Sequence, residues 1–230
     1  MRDIHMSTKR FLDHVTEGYE ASERYCFILG SGASITSGIP SGLNLMPKWR
    51  KYLQNKGTDY IRDCARDCGI PEGKWEPLFQ EDYKLKSEDY FTLFDLRYAG
   101  KSVVAYHDLQ KLMEKAEPSV GYYMLAMLME HTENNLVITT NFDTLVEDAL
   151  RLYGAKRPLM IGHESLASFL NRAENKKRPR VAKVHRDLYF QPLNREKELK
   201  ELADGWKKSL KKSLSITYPS LLAMQAVTRR

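Results

Sequence analysis

Tyr25-Cys-Phe-Ile-Leu29, running straight into Gly30-Ser-Gly32, constrains the fold more than any other stretch of the chain. Five apolar residues in a row, without polar alternation, suit a strand buried on both faces, and such strands belong to parallel sheets with helices on each side. A glycine- and serine-rich turn over Gly30 to Gly38 follows, then a helix from about Ser41 to Gln54. Similar short runs recur at Leu136-Val-Ile-Thr-Thr140, Leu159-Met-Ile161 and Val181-Ala-Lys-Val184. Between them lie amphipathic stretches of helical period: Ser119 to Glu130 behind Pro118, Phe142 to Tyr153, Glu164 to Leu170, and about Arg195 to Leu214. Ser7 is a plausible N-cap for one more helix reaching about Ser22, with Phe11, Leu12, Val15 and Tyr19 on one face. Residues 55 to 116 are aromatic-rich and helical without a clear strand. The alternation predicts an α/β fold, a Rossmann-like parallel sheet flanked by helices with a helical insertion over 55 to 116, in one domain spanning 1 to 230.

Composition narrows the classes. With 230 residues and 42% hydrophobic content the chain can build one sizeable core. No run approaches the ~18 apolar residues of a membrane span, and Met1-Arg-Asp-Ile-His-Met6 lacks the apolar stretch of a signal peptide, so a cytoplasmic protein without a membrane partner is expected. The formal charge of +6 raises nucleic acid as a partner. The excess, however, sits in Asn171 to Arg180, read as a solvated loop, and in Lys207 to Lys212, read as the polar face of a helix. Neither interleaves aromatics with basic residues as a stacking platform does, so nucleic acid is not the expected partner. Cys26, Cys64 and Cys68 form no even framework, and reduced thiols are expected, with Cys64 and Cys68 one helical turn apart.

Ligands of open parallel sheets bind at the carboxyl ends of strands, and three such ends here carry chemistry-bearing residues. The first is Gly30-Ser-Gly-Ala-Ser-Ile-Thr-Ser-Gly-Ile-Pro40, where glycines permit close backbone approach and a following helix offers N–H groups to an anion. It is neither a P-loop, since no Gly-Lys-Ser/Thr follows, nor a Gly-x-Gly-x-x-Gly turn, since Ile35 stands at the third glycine. The second end is Thr139-Thr-Asn-Phe-Asp143, in which Asn141 could cap a helix and Asp143 complement its dipole. The third is Lys183-Val-His-Arg-Asp187, with a histidine at a strand end. Each alone has an ordinary structural explanation. The conjunction of all three in order is what carries meaning.

Together the three segments resemble the sirtuin superfamily, whose members carry Gly-Ala-Gly-x-Ser-x-x-Ser-Gly-Ile-Pro, then Thr-Gln-Asn-x-Asp, then Lys-x-His-Gly. The surrounding Pro118-Ser-Val-Gly-Tyr-Tyr123 and Leu159-Met-Ile-Gly-His-Glu164 look most like the sirtuin-like domains of bacterial phage-defence systems. The resemblance covers roughly residues 20 to 215 and is thin over the helical insertion. It implies NAD as substrate. It assigns Ser31, Gly32, Ala33 and Ser34 to the pyrophosphate and nearby ribose, within a binding set that also includes Gly30, Ser37, Gly38, Pro40 and Thr140. Asn141 and Asp143 fall at the nicotinamide end, and His185 at the ribose hydroxyls as general base. Arg186 replaces the family's glycine and Thr140 its glutamine, so the pocket floor is expected to differ from that of a protein deacylase.

The chemistry suits those residue types. The nicotinamide of NAD leaves as a neutral molecule and needs no proton, so a glycosidase-like carboxylate pair is unnecessary. Polar side chains must hold the carboxamide, and a histidine of pKa near ~6.5 can take a proton from water or ribose at neutral pH. Deacylase sirtuins carry a four-cysteine zinc module after the histidine, whereas no cysteine follows Cys68 here. The expectation is therefore an NAD hydrolase without zinc or another metal, releasing nicotinamide and ADP-ribose as an antiviral effector. Its partners would be a sensor or effector domain or protein, and the chain is expected to form a homo-oligomer. The alternatives are a binding module that holds NAD or ADP-ribose without turnover, or a truncated inactive fragment, and, further off, a deacylase.

At residues 216 to 230 the pattern changes. The domains it resembles continue from this helix into a strand of the type Tyr-x-Pro-hydrophobic-Val-Ile-Gly-Tyr and a Gly-x-Asp loop, whereas the text here is Ile216-Thr-Tyr-Pro-Ser-Leu-Leu-Ala-Met-Gln-Ala-Val-Thr-Arg-Arg230. Codons permitted for Pro219 to Thr228, read out of phase, can spell the expected strand and loop. A frameshift near residue 216 is thus expected, leaving the tail without a buried strand and the loop for the adenosine half of NAD and a neighbouring strand with an open edge; the alternative is a short variant ending in a helix.

Overall fold

The computed structural model describes Lys9, Asp13 and residues 25–175, 177–188, 202–214 and 218–220. Its strands are β1 (Tyr25–Leu29), β2 (Leu136–Thr139), β3 (Leu159–Ile161), β4 (Arg180–Lys183) and β5 (Tyr218–Ser220). They form one sheet in the order β3-β4-β2-β1-β5, with every pairing parallel. The central register aligns Phe27 with Val137 and Val137 with Val181, so these three side chains point to one face. The next row, Ile28 with Ile138 and Ala182, points to the other. Because successive strand residues alternate faces, an unbroken apolar run can supply two cores at once.

The helices are α1 (Gly42–Lys56), α2 (Thr58–Cys68), α3 (Glu72–Trp75), α4 (Asp89–Tyr98), α5 (Ser102–Met113), α6 (Val120–His131), α7 (Leu145–Tyr153) and α8 (Asp204–Leu214). On one face of the sheet, Phe27, Leu29, Val137 and Val181 pack against Tyr122, Leu125 and Met129 of α6 and Leu145, Val146 and Leu150 of α7. On the other, Cys26, Leu136, Ile138 and Ala182 pack against Trp206 and Leu210 of α8 and against Ala167 and Leu170 of the 3-10 helix Glu164–Asn171. Gly205 is what lets those two elements touch: a Cβ there would lie 2.5 Å from the Glu164 carbonyl oxygen. The α/β fold with a parallel sheet flanked by helices is therefore as the apolar runs predict.

Helices α1 to α5 build a third core of their own around Trp49, Leu53, Trp75, Leu78, Leu93 and Leu96, joined by Leu188 and Phe142. No strand falls in this insertion. Cys64 is buried in it and Cys68 Sγ donates to the Asp95 carbonyl at 3.4 Å, both as free thiols. Among the described residues no helix is long and apolar enough to cross a membrane.

Several boundaries differ from expectation. The Gly30 to Gly38 turn is a seven-residue 3-10 helix, Ser31–Ser37, ended by Gly38 at φ 90°. α7 begins at Leu145, three residues later than its period suggests, leaving Asn141, Phe142 and Asp143 outside the helix. α8 begins at Asp204, with Leu202 and Ala203 non-helical. Earlier residues of that expected helix, and the expected helix from Ser7 apart from helical Lys9 and Asp13, lie outside the described residues. The basic stretch 171–180 is not simply a solvated loop. Arg180 is buried and donates to Leu170 O and Asn135 Oδ1, while Arg178 donates to the carbonyls of Arg157 and Pro158. The edge of β1 is not wholly open either, because Tyr218–Ser220 pairs with Tyr25–Phe27.

Candidate functional site

β1, β2 and β4 are neighbours and parallel, so their carboxyl ends lie side by side. The connections leaving them converge on one cavity of about 540 Å³, within the range of small-molecule sites. Its polar wall consists of Ser31, Gly32 and Ser34 after β1, Thr140, Asn141 and Asp143 after β2, and His185 after β4. The apolar part of the lining comes from α1 and the insertion, with Met46 of α1, Tyr90 and Phe91 of α4, and Leu109, Leu112 and Met113 of α5. Ser41, the N-cap of α1, and Gly42, its first residue, also line it. Tyr90 lies so near that a Cβ on Gly42 would meet its ring at 2.8 Å.

The innermost part of the polar wall is a closed hydrogen-bond network. Ser34 donates through Oγ to Asp143 Oδ2 at 2.7 Å. That bond uses its only proton, so the 3.0 Å contact between Ser34 Oγ and the Tyr122 hydroxyl has Tyr122 as donor. Asn141 Nδ2 donates to the Gly30 carbonyl at 3.0 Å and to Ser34 Oγ at 3.1 Å. The Ser34 hydroxyl thus has its donor and both acceptor positions filled. Both amide hydrogens of Asn141 are also occupied, which leaves its Oδ1 as the atom offered to a ligand: a fixed acceptor that selects an N–H or O–H group.

Asp143 is buried, and burial pushes its carboxyl above the usual range, while the Ser34 hydroxyl, the Leu145 N–H and the nearby Lys183 ammonium pull it back. Its Oδ1 accepts from Leu145 N at 3.2 Å, capping α7, so Asp143 and not Asn141 serves the helix start. Lys183, only 2% exposed, ties the second and third motifs together: its Nζ donates to the Phe142 carbonyl at 3.3 Å and pairs with Asp187 Oδ2 at 2.5 Å. His185 is half-buried, and its ring makes no hydrogen bond with a described residue. Burial pushes its imidazole below the ordinary 6.5, favouring the neutral base.

Of the residues expected at the site, Ser31, Gly32, Ser34, Pro40, Thr140, Asn141, Asp143 and His185 line the cavity. Gly30, Ala33, Ser37 and Gly38 do not, and each has a structural task. Gly30 presents its carbonyl to Asn141 and to Ala33 N, Ala33 packs in the sheet core, Ser37 Oγ accepts from Ser119 N at 3.0 Å, and Gly38 ends the 3-10 helix. Arg186 turns away from the cavity toward Glu164. Tyr122, Lys183 and the apolar wall from α4 and α5 are the parts that sequence reasoning missed. Compared with known proteins, the chain matches no family model and no curated protein.

Proposed function

We propose that the cavity binds NAD and that the chain hydrolyses its nicotinamide–ribose bond, as a sirtuin-like NADase of the phage-defence kind. The observation that carries this reading is the convergence of the glycine turn, Asn141, Asp143 and His185 from three sequence-distant segments on one cavity at the carboxyl ends of adjacent parallel strands. In the reaction one water and one NAD give nicotinamide, ADP-ribose and a proton. Asn141 Oδ1, as an obligate acceptor, suits the amide N–H of the nicotinamide carboxamide. In its ionised form, which the Ser34 hydroxyl, the Leu145 N–H and Lys183 favour, Asp143 places negative charge where the ribose gains positive character, a preorganised stabilisation of the kind that dominates many active sites. His185, neutral at physiological pH, takes the proton of the incoming water or of a ribose hydroxyl. Among the described residues the lining carries no lysine or arginine, and the groups it offers to the pyrophosphate are backbone N–H groups and Ser31 at the start of the 3-10 helix. The apolar wall lowers the local polarity on its side of the cavity, which strengthens each of these electrostatic terms.

The test is incubation of the full chain with NAD, assaying free nicotinamide and ADP-ribose, with an acetyl-lysine peptide in parallel. Release of both products without deacetylation is expected. Robust peptide deacetylation overturns the reading, and calorimetric NAD binding without nicotinamide release assigns the chain to the ligand-holding modules instead.

A further inference from the structure

His185 owes its position to its neighbours, since its own ring has no described protein partner. On one side, Val184 N donates to Thr139 O at 2.9 Å and Lys183 is anchored through its ammonium. On the other stands Arg186, whose φ of 68° lies in the left-handed region. For a residue with a Cβ that region is disfavoured by about tenfold or more in population. The turn is nevertheless formed: Arg186 N donates to Lys183 O at 3.1 Å and Asp187 N to Gly162 O at 2.9 Å. The side chain adds its own hold. Arg186 makes a two-point contact with Glu164, Nε to Oε2 at 3.0 Å and a terminal nitrogen to Oε1 at 2.5 Å, and both side chains are about a fifth exposed. A planar fork on a carboxylate fixes orientation as well as distance. Glu164 is itself held in place, at the first position of its 3-10 helix with Gly205 against its carbonyl.

We infer that Arg186 and Glu164 are positioning residues for His185: their bidentate pair holds residue 186 in the left-handed conformation that directs the histidine into the cavity. Neither side chain lines the cavity, so the pair acts through the backbone. The kinetic half of the test rests on the NAD-hydrolysis reading; the spectroscopic half does not.

The experiment is a set of variants of the full chain, R186A, R186G, R186K, E164A and the double variant E164A/R186G, each checked by thermal melting to be folded. For each, kcat and KM for NAD are measured, and the His185 imidazole resonances are followed by NMR, assigned by their loss in H185Q. R186A, R186K and E164A are expected to lower kcat by about tenfold with KM little changed, because a histidine displaced by a fraction of an ångström loses its proton-transfer geometry. R186G, for which the left-handed turn is unstrained, is expected to lose no more than about twofold. E164A in the R186G background adds nothing further, a non-additivity diagnostic of one device. The His185 resonances shift in R186A and E164A and stay near the parent's in R186G. Equal damage in R186A and R186G, or an additive E164A/R186G pair, overturns the inference even while the parent hydrolyses NAD. If the parent releases no nicotinamide, the hydrolysis reading falls and the NMR pattern alone decides this one.

Discussion

Replacing Ser34 by alanine isolates the network at the base of the cavity. The hydroxyl is 1% exposed and fully bonded, donating to Asp143 and accepting from Asn141 and Tyr122. Without it those three buried groups each lose one partner. A neutral buried bond is worth ~1 kcal/mol net, and one to an ionised group ~1.5–3 kcal/mol. Some re-pairing is open to Tyr122 and Asp143, so the cost falls at about 3 kcal/mol, which for a chain of this size lowers Tm by roughly 6–12 °C. Tyr122→Phe removes a single donor from the same hydroxyl and should cost about 1 kcal/mol, or roughly 2–4 °C. Thermal unfolding followed by circular dichroism compares the two. Kinetics adds a second discriminant: loss of the network frees the Asn141 amide to rotate and lowers kcat, whereas direct contact of Ser34 with the pyrophosphate would raise KM with kcat preserved. A Ser34→Ala variant that melts within about 2 °C of the parent, or whose defect lies in KM alone, refutes the argument that this hydroxyl is committed to the protein.

His185→Ala should abolish NAD turnover with the fold intact. In the parent, burial disfavours the imidazolium, so the active neutral form persists to lower pH and the acid limb of kcat/KM lies below 6.5; a limb above that value in a steady-state pH series would contradict the general-base role. Asn141→Asp puts a carboxylate against the Gly30 carbonyl in place of two N–H donors, and is expected to cost about 1–3 kcal/mol in urea unfolding and to eliminate nicotinamide release. Gly205→Ala forces a methyl group to within 2.5 Å of Glu164 O, and should destabilise by about 1–3 kcal/mol in the same assay, with an unchanged midpoint disproving that close approach.

The strands were legible because a sheet covered on both faces demands unbroken apolar runs, and Tyr25–Leu29 and Leu159–Ile161 occupy the very residues that the runs mark. The helical insertion was legible for the complementary reason, an aromatic-rich stretch without any such run. Boundaries failed where a tertiary partner outweighs local period. Phe142 belongs to the apolar stripe of α7 by spacing, yet it stays outside the helix: Asp143 spends one carboxylate oxygen on capping Leu145 and the other on Ser34, 109 positions away. In the same way the basic stretch 171–180 reads as solvated until Arg180 is seen with Asn135, 45 positions distant, holding its guanidinium inside the fold.

The site shows the same division. Chemistry at strand ends could be read because a parallel sheet gathers those ends, so Ser31, Asn141, Asp143 and His185 were brought together by topology before any contact was known. Tyr122 could not be, since α6 is apolar almost throughout and nothing in its own text says that one hydroxyl faces Ser34 across 88 positions. Lys183 differs, because its place in the strand is itself a signal. A lysine inside a strand with helices on both faces has no route to water, and a buried ammonium survives only if it is paired and hydrogen-bonded. Arg180-Val-Ala-Lys183 therefore required an acceptor and a carboxylate near the end of the strand. The structure supplies them in Phe142 O and Asp187. Phe142 stands between Asn141 and Asp143 and Asp187 two residues after His185, so one buried charge ties the second segment of the polar wall to the third.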